Sequence, residues 1–197
     1  MDMRLGVWAL LLMGPALAAV SDIDTNKTAG NPSAPVTVQV FSDFECPACK
    51  VFHERSLPQL ERDFVVTGKV FLIFREFPLP IHKHSREAAD YAVAAARLGL
   101  YQPVADALFR DQFSWSSSGK VWDTVAASLT PSQQKKVKLA ADGPAVLGEI
   151  QRDLEAGHAA SVSSTPTLVV ERGARRYPVS GTLNYEILKS LLNDLSK

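Results

Sequence analysis

From Val36 to Phe41 apolar and polar residues alternate, the period-two pattern of a strand with one buried face. After Ser42-Asp43-Phe44-Glu45 comes Cys46-Pro47-Ala48-Cys49, which opens a helical pattern predicted to run to about Phe64. Pro47 suits the first helical position, where its missing N–H would have had no partner, and Pro58 is expected to kink the helix. Val70 to Phe74 is continuously apolar, as a buried parallel strand should be. A long helical stretch follows. Ser85 is placed to cap a helix from Arg86 to Leu98, and a second is predicted from Pro103 to Asp111. Ser114 to Gly119 reads as a serine-rich loop, and Trp122 to Leu129 as a short amphipathic helix. Thr130 with Gln133 spells a capping box for a helix to about Ala141. Gly143-Pro144 separates it from a last helix over Ala145 to Ala156. Thr167 to Glu171 and Arg175 to Val179 flank Gly173 as a hairpin, and Asn184 caps a closing helix to Leu195. The order is β-α-β, a helical block at about 84–157, then β-β-α, with no internal repeat. This predicts one α/β domain over 36–197 on a shared sheet.

The segment before Val36 has a different character. Arg4 precedes an apolar run from Leu5 to Met13, and Ala16-Leu17-Ala18 offers a small-x-small cleavage pattern. The run falls short of the roughly 20 apolar residues that span a bilayer. Residues 1–18 are therefore expected to be a signal peptide, cleaved after Ala18 or Ala19, and 19–35 a loose polar lead. Lys plus Arg and Asp plus Glu both number 21, so nothing points to nucleic acid or an anionic surface.

Export changes what the cysteines mean. The chain has only two, too few for a disulfide scaffold or a four-cysteine zinc site. A bridge between positions 46 and 49 closes so short a loop that it constrains little of the unfolded chain. A redox pair is the better reading. A thiolate at a helix N-terminus is stabilised by free N–H groups and the helix dipole. Cys46 is thus expected to be the exposed nucleophile, and Cys49, one turn on, the buried resolving thiol. The competing reading is a metal site recruiting His53. Seven residues of helix, about 10 Å of rise, separate His53 from Cys46. His82 and His84 read as surface or helix-entry residues, and no metal ligand set is assigned.

The segment Phe41-Ser42-Asp43-Phe44-Glu45-Cys46-Pro47-Ala48-Cys49, with Phe52-His53 and Leu57-Pro58, resembles the active-site stretch of DsbA-like thioredoxin-fold proteins. Phe74-Arg75-Glu76-Phe77-Pro78-Leu79-Pro80, with His82 and Ala88-Ala89, resembles that family's junction into a helical insertion. Ser164-Thr165-Pro166-Thr167 is the third match. The resemblance implies a thioredoxin fold with the insertion between its β-α-β and β-β-α halves. It also implies a cis Thr165–Pro166 bond against the pair, with Thr165 presenting its backbone to an extended substrate. Two departures stand out. Val40 occupies the place where many members carry a buried acid, and Ala48 replaces the histidine of the strongly oxidising enzymes. Losing that cation predicts a milder oxidant. Asp43 reads as a solvated loop residue, and Glu45, if turned to the sulfur, would oppose thiolate formation. Phe113, Trp115 and Trp122 are assigned to the core or, alternatively, to the border of a peptide groove.

The resemblance implies an exported thiol–disulfide oxidoreductase, a dithiol oxidase in the periplasm or another extracytoplasmic space, working through a Cys46–Cys49 disulfide without cofactor. Its substrates would be unfolded or reduced exported proteins, and a membrane protein of DsbB or VKOR type would reoxidise it. The short lead leaves no room for an oligomerisation region, so a monomer is expected. A reductase of the same fold, and a non-catalytic thiol-bearing metal-binding or adaptor protein, remain as alternatives.

Overall fold

The computed structural model describes residues 25–181 and 184–197. The signal-peptide expectation for residues 1–18 lies outside them. A 3-10 turn at Thr25–Lys27 leads into β1 (Thr28–Ala29), followed by β2 (Val36–Ser42). The site helix runs from α1 (Pro47–Val51) through a π turn (Phe52–Ser56), α2 (Leu57–Leu60) and a second π turn (Glu61–Val65) into β3 (Val70–Glu76). Six helices then intervene: α3 (Ser85–Ala96), α4 (Tyr101–Arg110), α5 (Gln112–Ser118), α6 (Val121–Ala127), α7 (Pro131–Ala140) and α8 (Pro144–Ala159). The hairpin β4 (Thr167–Arg172) and β5 (Arg175–Ser180) and helix α9 (Tyr185–Leu195) complete the chain.

The sheet order is β1-β3-β2-β4-β5. β2 and β3 run parallel, with Val36 opposite Val70 and Ser42 opposite Glu76, while β4 lies antiparallel on the other side of β2. Both strands of the central pair therefore end at the same edge, where β2 delivers the cysteine loop. Thr167, paired with Phe41, brings the loop before β4 to that edge as well. Val36, Val38, Val40, Val70, Leu72 and Phe74 share one face and pack in a single core with Cys49, Phe52, Leu57, Leu60 and Phe64 of the site helix. The alanine-rich α3 adds Ala88, Ala89 and Ala92 to Ala96 to this core. On the opposite face Phe41, Phe77, Val162 and Val169 form a smaller cluster. Gly157 lets α8 close on it, since a Cβ there would lie 2.4 Å from the Phe77 ring.

Four local expectations change. The lead is not loose where it is described: β1 pairs antiparallel with β3, and Lys27 is buried in an ion cluster with Asp153 and Glu149 of α8. Pro58 produces a π turn: the Leu57 N–H reaches back five residues to the Phe52 carbonyl, one turn-widening step before the ring. The cap of α3 is His84, while the Ser85 hydroxyl donates to the His82 carbonyl. The serine-rich segment is helix α5. Buried Trp115 anchors it through an indole N–H to the Leu108 carbonyl, the Ser118 hydroxyl bonds back to Ser114, and Gly119 ends it at φ 73°. Tertiary burial outweighs the loop preference of serine. The Thr130–Gln133 capping box and the Asn184 cap are both formed.

Candidate active site

Cys46 is the N-cap of α1, with extended backbone at ψ 120°, and its carbonyl accepts the N–H groups of Cys49 at 3.1 Å and Lys50 at 3.2 Å. Pro47 at the first helical position is exposed and Ala48 half-buried. The two sulfurs are unbonded, a dithiol. Cys46 keeps 7% of its surface and Cys49 none, so the order of access matches the expectation while Cys46 is less open than expected. The reason is the loop before β4. Thr165–Pro166 is cis, both residues are buried, and the Cys46 thiol donates to the Thr165 carbonyl at 3.3 Å. A Thr167 hydroxyl to Ser164 carbonyl bond of 2.7 Å closes this turn. Cys46, Pro47, Ala48, Cys49, Thr165 and Pro166 thus meet at one edge of the sheet.

The electrostatics separate the two thiols. Hydrogen bonding from the Cys49 thiol holds Cys46 down to about 5, against the opposing effect of burial, with help from the Thr165 hydroxyl and the Cys49 and Ala48 N–H groups. That hydroxyl is buried and without a partner of bonding geometry while Cys46 is a thiol, so it is free to turn to a thiolate. Burial pushes Cys49 well above its usual value, and the neighbouring Cys46 adds to the shift. The Ser42 hydroxyl and the Asp43 N–H, 3.5 Å from the Cys49 sulfur, pull it partly back.

Asp43 is not the solvated residue expected. It is 1% exposed, and its carboxylate accepts the N–H groups of Glu45 and Leu79 at 2.8 and 2.7 Å and lies 2.8 Å from His82 Nδ1. It ties the cysteine loop to the segment entering α3. Glu45 is directed to the His84 N–H at 2.6 Å, so its charge is satisfied at the start of α3. Val40 is core. His53 pairs with Asp106 at 2.8 Å and stacks on Phe109. Among the described residues no group of three or more His, Cys, Asp or Glu side chains is placed to hold a metal. Of the three aromatics, Trp115 is core, Trp122 packs on Tyr91 beneath Lys138, and Phe113 is 85% exposed.

Sequence reading missed Gln112, whose amide donates to the Phe44 carbonyl at 2.6 Å and the Cys46 carbonyl at 3.0 Å, fixing the loop from α5. It also gave Glu76 no role of its own. Glu76 is buried at the end of β3 and bonded to the Tyr101 hydroxyl at 2.9 Å. Two charged residues, Arg75 and Glu76, inside the apolar run Val70 to Phe77 were the available signal.

A cysteine pair at a strand–helix junction, facing a cis-proline loop at the ends of a parallel strand pair, defines the thioredoxin class of redox site. The family model described as thioredoxin matches residues 22–194. Disulfide bond formation protein D of Bacillus subtilis is 26% identical over 164 residues, covering 79% of this chain and 72% of that protein. The crystal structure of oxidised BdbD from Bacillus subtilis is similar at a TM-score of 0.68 and 25% identity, covering 86% of this chain and 92% of that one. A thioredoxin-like oxidoreductase from Silicibacter pomeroyi superposes at a TM-score of 0.73 and 23% identity, covering 90% and 97%. The chain belongs to the thioredoxin family, on its DsbA-like side, whose members are thiol–disulfide oxidoreductases.

Proposed function

We propose that this protein is an exported dithiol oxidase, which passes a Cys46–Cys49 disulfide to reduced extracytoplasmic proteins. The observation that carries the reading is the asymmetry of the two thiols. Cys46 is held down to about 5 while burial raises Cys49, so the reduced form is a stabilised thiolate beside a protonated thiol. A stabilised reduced form makes the couple oxidising. In the forward step a substrate thiolate attacks the Cys46 sulfur and Cys49 leaves. The substrate's second thiolate then attacks the mixed disulfide, and Cys46 leaves as thiolate. The substrate loses two electrons and the enzyme gains them.

Thr165 offers its backbone to an extended substrate segment and Pro166 bounds the other side, with Pro47 and Ala48 completing the rim. Phe113, exposed and next to Gln112, supports apolar contact with an unfolded chain. A signal peptide over residues 1–18 ahead of the folded domain would fit export, and a DsbB- or VKOR-type membrane protein would restore the disulfide to a monomeric enzyme. The oxidised protein should oxidise reduced, unfolded ribonuclease stoichiometrically. Cys46→Ser should abolish this, and Cys49→Ser should accumulate mixed disulfides through Cys46. Trapping through Cys49, or reduction of oxidised ribonuclease at comparable rate, would contradict the assignment.

A further inference from the structure

The Cys46 carbonyl stands where extended backbone becomes helix, between Cys46 at ψ 120° and Pro47 at the first helical position. Because the next residue is proline, this peptide unit has no N–H, and the carbonyl is its one hydrogen-bonding group. Two donors reach it from inside α1, the N–H groups of Cys49 at 3.1 Å and Lys50 at 3.2 Å. The third comes from the helical insertion. Gln112 Nε2, which carries two N–H groups, lies 3.0 Å from this carbonyl and 2.6 Å from that of Phe44.

Gln112 is itself held firmly. It is buried in the first turn of α5, and buried Trp115, one turn on, ties that helix to α4 through its indole bond to the Leu108 carbonyl at 2.7 Å. The tie is returned from the other side. Lys50 of α1 directs its ammonium to the Phe109 and Arg110 carbonyls at 2.5 and 3.0 Å. These lie at the C-terminal end of α4, where carbonyls run out of intrahelical donors and a cation is favoured. The Phe44 and Phe109 rings meet across the same junction at 4.9 Å. The α4–α5 corner and the first turn of α1 thus hold one another by side chains running in both directions.

We propose that Gln112 is a positioning residue for the nucleophile: its amide sets the plane of the Cys46–Pro47 peptide, and with it the aim of the Cys46 sulfur. The inference rests on the exchange reading, in which Cys46 is attacked and later leaves as thiolate. The donors to that thiolate are the Cys49 thiol, the Thr165 hydroxyl and the N–H groups of Cys49 and Ala48. All are fixed in α1 or in the loop before β4, whereas the sulfur belongs to the residue before the helix. Turning the one peptide plane swings the sulfur off their lines, and hydrogen bonds weaken steeply with angle. The disulfide carries no charge on this sulfur, so lost aim weakens the reduced state alone. A loss of packing common to both states would cancel in the redox equilibrium.

The test is the ultraviolet absorbance of the thiolate against pH in the reduced protein, with glutathione equilibration of the same variant. The wild type should titrate at about 5. Gln112→Met keeps the length of the side chain and removes both N–H groups. It should titrate about one unit higher, and its disulfide should be about tenfold less oxidising against glutathione, or about 30 mV. A Gln112→Met protein with the titration and glutathione constant of the wild type, and only lower stability in urea, would overturn the proposal and leave the exchange reading intact. Should the variant not fold, the wild type decides. Its Gln112 side-chain amide protons should resist hydrogen exchange and shift in NMR spectra as Cys46 titrates. Protons that exchange as freely as those of an exposed glutamine, or that ignore the titration, would overturn the proposal. A thiolate that forms on Cys49 rather than Cys46 would overturn both readings.

Discussion

The lowered Cys46 thiol has a thermodynamic signature that needs no substrate. In the reduced folded protein it titrates at about 5, against an ordinary 9.0. Between those values the folded state binds fewer protons than the unfolded one, so stability rises with pH. The contribution is complete above pH 9 and is lost as pH falls through 5. At pH 7, two units above the folded value, it amounts to at most about 2.7 kcal/mol, at 1.36 kcal/mol per unit. Glu76 acts in the opposite sense, since its folded value of about 8 lies above the ordinary 4.5. Its stabilisation is present at low pH and declines as pH rises through 8. Subtracting a Cys46→Ser protein removes this and every other shared titration. Urea unfolding of both reduced proteins at pH 4.5, 6, 7 and 8, at fixed m-value, supplies the difference. The wild type should gain on the variant by about 2 to 3 kcal/mol between pH 4.5 and 7. Parallel stability curves would refute the account of Cys46.

Three further outcomes follow from the same geometry. Ala48→His sets an imidazolium beside the Cys46 thiolate and should raise the reduction potential by about 30 mV for each unit of further lowering, read by glutathione equilibration. Lys27→Met leaves Glu149 buried and without its near cation, and should cost about 3 to 5 kcal/mol of stability in urea, with β1 losing protection from hydrogen exchange. Gly157→Ala drives a methyl into the Phe77 ring and should lower stability by about 1 to 3 kcal/mol.

Strands β2 to β5, the site helix and the cysteine pair were legible because each is written locally. Alternation marks β2, a continuous apolar run marks β3, and Cys46-Pro47-Ala48-Cys49 sits at the junction between strand and helix. The cis Thr165–Pro166 bond was legible through resemblance alone, since nothing in Ser164-Thr165-Pro166-Thr167 distinguishes it from a trans bond. What escaped was every polar group satisfied from far along the chain. Asp43 meets its partners Leu79 and His82 36 and 39 residues away, and Lys27 meets Asp153 126 residues away. Such groups look solvated in sequence because their partners have no local pattern. The helix α5 was hidden for a related reason: one buried tryptophan outweighs four serines' preference for a loop.

The central claim is that Cys46 and Cys49 form one two-electron couple poised toward oxidation. Equilibration of residues 19–197 across a glutathione redox series, with the thiol state read by alkylation and mass, tests it directly. The account predicts a single transition with both cysteines changing together, at a potential above the roughly −270 mV of a reducing thioredoxin. Glutathione adducts without an internal disulfide, or a potential at or below that value, would contradict it.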